Sequence, residues 1–223
     1  MNIRGTFALA LLMFFALSAA GCGSGEEAAG DLTASIEGGA GEGEADGDAT
    51  ADAPSRPPRV LIETSHGDIT VELDPVKAPL TVGNFLSYVD DRHYDGTIFH
   101  QAIPGYVVLG GGYTRELKEL SVGPTIRNEA HNGLSNTRGT IAMAREGDVV
   151  DSSTTQFFLN LGDNTSLDHQ GRDAARYGYC VFGRVVAGLD VADAISKVEV
   201  RDTAGFEQIP VEPVTIKSIR RVQ

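Results

Sequence analysis

The sequence predicts an all-β domain with two helices: a closed, eight-stranded antiparallel β-barrel capped by an α-helix at each end. Three observations lead there. Beyond Arg59 the apolar residues fall into a period of two, the mark of strands with one wet face. Strand-like runs of this kind recur about eight times with no internal repeat, whereas helical spacing occurs only twice. So many short strands with so few helices suggest a closed sheet, and two helices suffice to plug its mouths.

Taken in order, Val60, Ile62 and Thr64 form the first run, and Ile69, Val71 and Leu73 alternate with Thr70 and Glu72 in the second. Ser65-His66-Gly67-Asp68 joins them as a hairpin loop. Pro79 suits the first turn of a helix, and Val82, Phe85, Leu86 and Val89 follow at i, i+3, i+4 and i+7. Strands are expected at Thr97–Ile103, Tyr106–Leu109, Thr140–Ala144, Gln156–Leu161 and Cys180–Val186. Val191, Ala194, Ile195 and Val198 mark the second helix, and Val214–Val222 is the last strand. The connections around 111–138 and 161–178 are long for a compact domain, a length that usually forms binding surfaces.

The N-terminal quarter has another character. Residues 1–21 read as a secretion signal, with Arg4 as its positive start and an apolar run of 11 residues from Phe7 to Leu17. That run is too short to span a bilayer. It ends in Ala19-Ala20-Gly21-Cys22, which resembles a bacterial lipobox with Ala19 in place of the usual leucine, so a lipid anchor is expected at Cys22. The alternative is ordinary cleavage, leaving Cys22 a free thiol in an oxidising compartment. The other cysteine, Cys180, sits between Tyr179 and Val181 and reads as a small buried hydrophobe.

Residues 22–58 form an acidic, Gly/Ala-rich stretch with almost no large apolar side chains, expected to be a disordered tether before a domain at 59–223. Nine acids fall here before the first base, Arg56; with Arg4 also set aside, the remainder holds 22 acids against 17 bases, so the tether carries most of the formal −13. Without a basic stripe to collect phosphates, nucleic acid is not an expected partner. A bacterial cell-envelope location, on a membrane and facing the periplasm or exterior, follows from the signal and lipobox, and a monomer is the expected state.

Three segments carry chemistry. Tyr94–Gly112 reads YDGTIFHQAIPGYVVLGGG. GTIAMAR at Gly139–Arg145 is followed by STTQFFLNLGDN at Ser153–Asn164, and LDHQGRDAARYGYCVFGRVVAGLDVADAISKV runs from Leu167 to Val198. In this order the segments resemble the cyclophilins, the peptidyl-prolyl cis-trans isomerases, and most of all their bacterial branch. The family's first motif is usually written YDGTIFHRVIPGFVIQGGG.

The resemblance implies isomerisation of X–Pro bonds in exported proteins, with no metal, cofactor or nucleophile, and proline-containing polypeptides as clients. It implies an apolar proline socket of Tyr106, Val107, Phe158 and Leu167 with Tyr179 at its rim. Ala144 would line the adjoining pocket and Gln156 would hydrogen-bond the substrate backbone. On the polar side Gln101 stands in the place of the family arginine, and Leu109 in that of the glutamine that helps to orient it. Losing one preorganised donor commonly costs about 100- to 1000-fold in rate, so turnover is expected to be reduced. The alternative is a binding module that holds proline segments without catalysis. Arg145, at the edge of the same groove, is a candidate substitute cation or an ordinary groove or surface residue. Ser166 stands where members that bind cyclosporin tightly have tryptophan, so tight binding of that drug is not expected. His100 is expected to be a buried, hydrogen-bonded histidine. The other histidines lack ligand spacing, and Asp163, Asp168 and Asp173 read as turn formers and caps.

Overall fold

The computed structural model describes residues 56–222. The signal, the lipidation site at Cys22 and the tether as far as residue 55 lie outside the described residues. Eight strands form the expected closed antiparallel barrel: β1 (Arg59–Thr64), β2 (Gly67–Leu73), β3 (Thr97–Ile103), β4 (Val107–Thr114), β5 (Thr140–Met143), β6 (Phe157–Asn160), β7 (Val181–Ala187) and β10 (Val214–Val222). Around the wall the order is β1-β10-β3-β4-β6-β5-β7-β2. The helices are α1 (Pro79–Asp90) and α2 (Leu189–Ser196), and β8 (Val200–Thr203) pairs with β9 (Phe206–Pro210) in a separate ribbon.

Local chemistry explains these elements. Glu72 on β2 is nearly buried and binds Arg59 of β1 and Arg184 of β7, tying three adjacent strands. Helix α1 starts at Pro79, and Ala78 before it offers no side-chain cap. The missing acceptor comes from Glu129, 48 residues on, whose carboxylate takes the Leu80 and Thr81 backbone N–H groups at 3.1 and 2.8 Å and the Thr81 hydroxyl at 2.7 Å. The helix ends in a Schellman arrangement: Arg92 N–H donates to the Val89 carbonyl and His93 N–H to that of Tyr88, with the His93 and Tyr88 rings 4.8 Å apart. Arg92 holds the left-handed position at φ 57° where glycine is usual. Thr81, Val82, Phe85, Leu86 and Val89 are the buried face.

The structure departs from the sequence reading in three places. Strand β4 does not stop at Leu109 but runs through Gly110-Gly111-Gly112 to Thr114. Here the glycines permit close approach rather than a turn: a Cβ on Gly110 would lie 2.8 Å from the Phe99 ring. Helix α2 closes at Ser196, so Val198 packs on the core from beyond its last turn. The β8–β9 ribbon has no counterpart in the predicted strands, because most of its residues are exposed or only half-buried and leave no clean alternation. It lies beside β3 and is fastened by Phe206, whose ring packs edge-on at 5.0 Å from Tyr113 and 6.2 Å from His100.

Candidate functional site

Strand alternation splits the apolar residues of one barrel wall into two clusters. Val108, Phe157, Leu159, Ile141, Met143 and Phe182 point into the barrel. Their neighbours Val107, Leu109, Phe158, Ala142, Ala144 and Val181 form a second cluster on the outer face. Period two thus builds a groove as well as a core. Register places Leu109 opposite Phe158 across β4 and β6, and Ala142 opposite Phe158 across β5 and β6. Ile103, Tyr106, Leu134, Leu167 and Tyr179 pack around this cluster. The Phe158 and Tyr179 rings meet at 5.7 Å, inclined 78°.

Tyr106, Val107, Leu109, Phe158 and Leu167 line a shallow depression, aromatic and aliphatic apart from the Tyr106 hydroxyl. The structure therefore brings together every residue of the socket expected from the sequence, with Tyr179 and Ala144 beside it. Burial raises the pKa of both Tyr106 and Tyr179, so their phenols stay protonated and available as donors at neutral pH.

The polar candidates lie around this depression. Gln101 on β3 pairs directly with Leu109 on β4, so the two non-consensus residues are cross-strand neighbours. The Gln101 Nε2 donates to the Glu207 carbonyl of the ribbon at a long 3.5 Å. Leu109 is only 3% exposed and forms part of the apolar wall. Gln156 lies flat over Gly112, where a Cβ would come within 2.6 Å of its Cγ.

Arg145 is neither at the surface nor free. It is 5% exposed, and its guanidinium donates to the carbonyls of Gly178, Glu146, Gly147 and Ala174 at 3.0, 2.9, 2.8 and 2.6 Å. It also stacks on the Tyr179 ring, 5.1 Å from the centroid. With four of its five N–H donors committed to the main chain, Arg145 braces the groove rim and has no two-pronged fork left for a substrate amide.

His100 is buried, but its Nδ1 lacks a partner at hydrogen-bonding geometry. Burial pushes its pKa down to about 4, with the Ile98 backbone and the Gln156 amide offsetting only part of the effect. It is neutral near pH 7. Cys180 is a buried free thiol, its pKa pushed up to about 11 by burial. Asp173 accepts the Arg176 backbone N–H three residues on, as a cap does, whereas Asp163 and Asp168 accept those of Arg138 and Asn136, 25 and 32 residues earlier, and so tie distant loops rather than form turns. Among the described residues no group of three or more His, Cys, Asp or Glu could hold a metal ion.

Sequence reasoning missed a set of buried asparagines behind the groove: Asn136, Asn160 and Asn164. A signal was present, since Asn160 ends the apolar run Phe157-Phe158-Leu159 in a strand buried on both faces.

Fold and site together define a closed antiparallel β-barrel with an apolar groove on its outer face. The particular family follows from comparison. The family of cyclophilin type peptidyl-prolyl cis-trans isomerase/CLD matches residues 59–221. Peptidyl-prolyl cis-trans isomerase A of Dickeya dadantii is 47% identical over 164 residues, 74% of this chain and 84% of that protein. Peptidyl-prolyl cis-trans isomerase B of Escherichia coli is 44% identical over 160 residues, 72% of this chain and 97% of that protein. A Cryptosporidium parvum cyclophilin type isomerase, solved in the presence of the dipeptide Ala-Pro, superposes with a TM-score of 0.61 at 23% identity, covering 74% of this chain and 99% of that one. The chain belongs to the cyclophilin type peptidyl-prolyl cis-trans isomerase family, and with it to the isomerases.

Proposed function

We propose that this chain is a peptidyl-prolyl isomerase of the bacterial envelope, anchored through lipid on Cys22, which binds X–Pro segments of exported proteins and turns them over slowly. The observation that carries the reading is the depression lined by Tyr106, Val107, Leu109, Phe158 and Leu167, aromatic and aliphatic apart from one phenol. A prolyl ring fits such a socket because burial of its apolar surface is favourable and its fixed ring costs little entropy to hold.

Catalysis then requires the twisted amide to be favoured over the planar one. Rotation about the X–Pro bond breaks conjugation across a barrier of about 20 kcal/mol, and the nitrogen gains hydrogen-bonding capacity as it does so. A donor directed at that nitrogen lowers the barrier. Here the available neutral donor is Gln101, which lacks a guanidinium fork and leans toward Glu207, with Leu109 beside it offering no polar support. Gln156, at the groove edge, is the group to hold the peptide backbone in register. The same two residues favour the second reading, a module that binds proline without accelerating isomerisation.

The test is the isomerisation rate of an Ala-Pro peptide with purified protein, alongside its binding affinity. Affinity with acceleration above the uncatalysed rate supports the enzyme; affinity alone selects the binding module; neither removes the socket reading. The acidic stretch at 22–58 would serve as the spacer between membrane and a monomeric domain at 59–223. Cys22→Ser should release the protein from the membrane fraction, and retention there would exclude the anchor.

A further inference from the structure

Three walls of the groove come from distant parts of the chain: Tyr106 from the β3–β4 turn, Leu167 from the connection after β6, and Tyr179 just before β7. Their main-chain carbonyls converge on one chain of buried amides. Asn164 Nδ2 donates to the Tyr106 carbonyl at 2.9 Å and to Asn160 Oδ1 at 2.7 Å. Asn160 Nδ2 donates to Asn136 Oδ1 at 3.1 Å and to the Thr140 hydroxyl at 2.9 Å. Asn136 Nδ2 reaches the carbonyls of Leu167 and Tyr179, both at 3.2 Å, and Asp168 Oδ1 at 3.0 Å.

Asn136 and Asn160 are fully buried and Asn164 is 8% exposed, so water is not at hand to replace a lost partner. The direction of the chain is fixed by its ends. Turning Asn164 over would set its oxygen against two acceptors, the Tyr106 carbonyl and Asn160 Oδ1. At the other end the Asp168 carboxylate also accepts from the Asn136 N–H and the Ser135 hydroxyl, giving the chain a charged terminus that polarises every amide before it. Backbone bonds also join these segments, among them Leu161 N–H to the Tyr106 carbonyl, Tyr179 N–H to the Leu167 carbonyl and Asn164 N–H to the Asn136 carbonyl.

We propose that Asn136, Asn160 and Asn164 are positioning residues: an amide relay, anchored on Asp168, that sets the separation of Tyr106, Leu167 and Tyr179 and so the width of the proline groove. The proposal rests on the groove being the X–Pro site. The relay touches no reacting atom. Loosening it weakens the grip on proline in the planar and twisted states alike, a loss of uniform binding that raises KM and leaves kcat nearly unchanged.

The test uses Asn164→Asp, which keeps the side chain's shape but removes both donors. Its comparator is Ile62→Val, a change in the barrel interior away from the groove. Peptide affinity is measured by titration with an Ala-Pro peptide, and KM and kcat by isomerisation, well below both melting temperatures. Asn164→Asp is expected to weaken Kd and KM by about tenfold, the loss that about 1.4 kcal/mol of uniform binding corresponds to. Ile62→Val should lower Tm without moving either. Equal affinity in wild type and Asn164→Asp, with only Tm lowered, overturns the relay and leaves the groove reading standing. Failure of the wild type to bind peptide overturns both. Should Asn164→Asp not fold, Asn164→Ser, which retains one donor, is read in the same way with a smaller expected loss.

Discussion

Restoring the polar side of the groove should accelerate this protein, and the gain should depend on two substitutions together. The perturbation is Gln101→Arg with Leu109→Gln, two positions paired directly across β3 and β4. Cβ atoms of such a pair lie about 5 Å apart, within reach of an Arg–Gln hydrogen bond. Leu109→Gln alone puts an amide where the side chain is 3% exposed and the neighbours are Phe158 and Val107, which should cost about 1–3 kcal/mol of stability. Gln101→Arg alone places a guanidinium whose nearest fixed acceptor is the Glu207 carbonyl, so it should point at the ribbon for much of the time. Together each supplies what the other lacks, with a coupling of about 0.5–3 kcal/mol.

A well-directed donor to the twisted amide is worth about 100- to 1000-fold, or about 3–4 kcal/mol of barrier. The double variant should approach that gain in kcat/KM on an Ala-Pro peptide, Gln101→Arg alone should fall well short of it, and Leu109→Gln alone should gain nothing. The assay is the four-way cycle, with binding affinity measured in parallel. A double variant no faster than the natural protein would refute the claim that these two residues limit the rate. Additive effects would refute the claim that they act as a pair.

Three further outcomes follow from the fold. His100, with its pKa pushed down to about 4 by burial, stays neutral when folded at pH values where the unfolded chain binds a proton. Stability from this group is therefore complete above about pH 6.5 and falls by about 3 kcal/mol as pH drops to about 4, with no further loss below; His100→Phe should flatten that part of a Tm-against-pH curve. Arg92→Gly, at a left-handed helix terminus with φ 57°, should raise stability by about 0.5–1 kcal/mol in urea unfolding, and a loss there would mean that the Arg92 side chain has an unrecognised role. Glu129→Ala strips the acceptor from the Leu80 and Thr81 N–H groups and should cost about 1–3 kcal/mol, with faster amide exchange confined to the first turn of α1 as the signature.

The two helices were legible from period, because their apolar faces recur every turn. Val107 and Phe158 were legible as socket residues through the family resemblance alone, since β4 and β6 are continuous apolar runs with no alternation to read. What depends on contacts between distant segments was not legible. Glu129 capping α1 and Arg145 reaching Ala174 join residues with no common pattern. The β8–β9 ribbon stayed hidden because it buries little, and the continuation of β4 because three consecutive glycines carry no side chains to mark a strand. Arg145 shows the limit most sharply. Its position beside Ala144 suggests a groove cation, and only the four carbonyls around it reveal that four of its five donors are already used.

The two halves of the site are built on separable supports, which makes the distinction between binding and turnover a physical one. The apolar half rests on β4, β5 and β6, on Arg145 stacked against Tyr179, and on the amides that hold the Tyr106, Leu167 and Tyr179 carbonyls. The polar half rests on β3 and on the ribbon that receives the Gln101 amide. Substitutions at Gln101 leave the relay and the stacked rim untouched, so they can change rate without changing the socket. Leu109 is the exception, because it lines the depression itself and faces both Gln101 and Phe158 across the sheet. Replacing it must therefore alter proline affinity and turnover at once, whereas Gln101→Arg should move kcat with little change in Kd. The ratio of those two responses separates a slow isomerase from a proline-binding module, since a module's affinity would fall with Leu109→Gln while its rate stayed at the uncatalysed value in every variant.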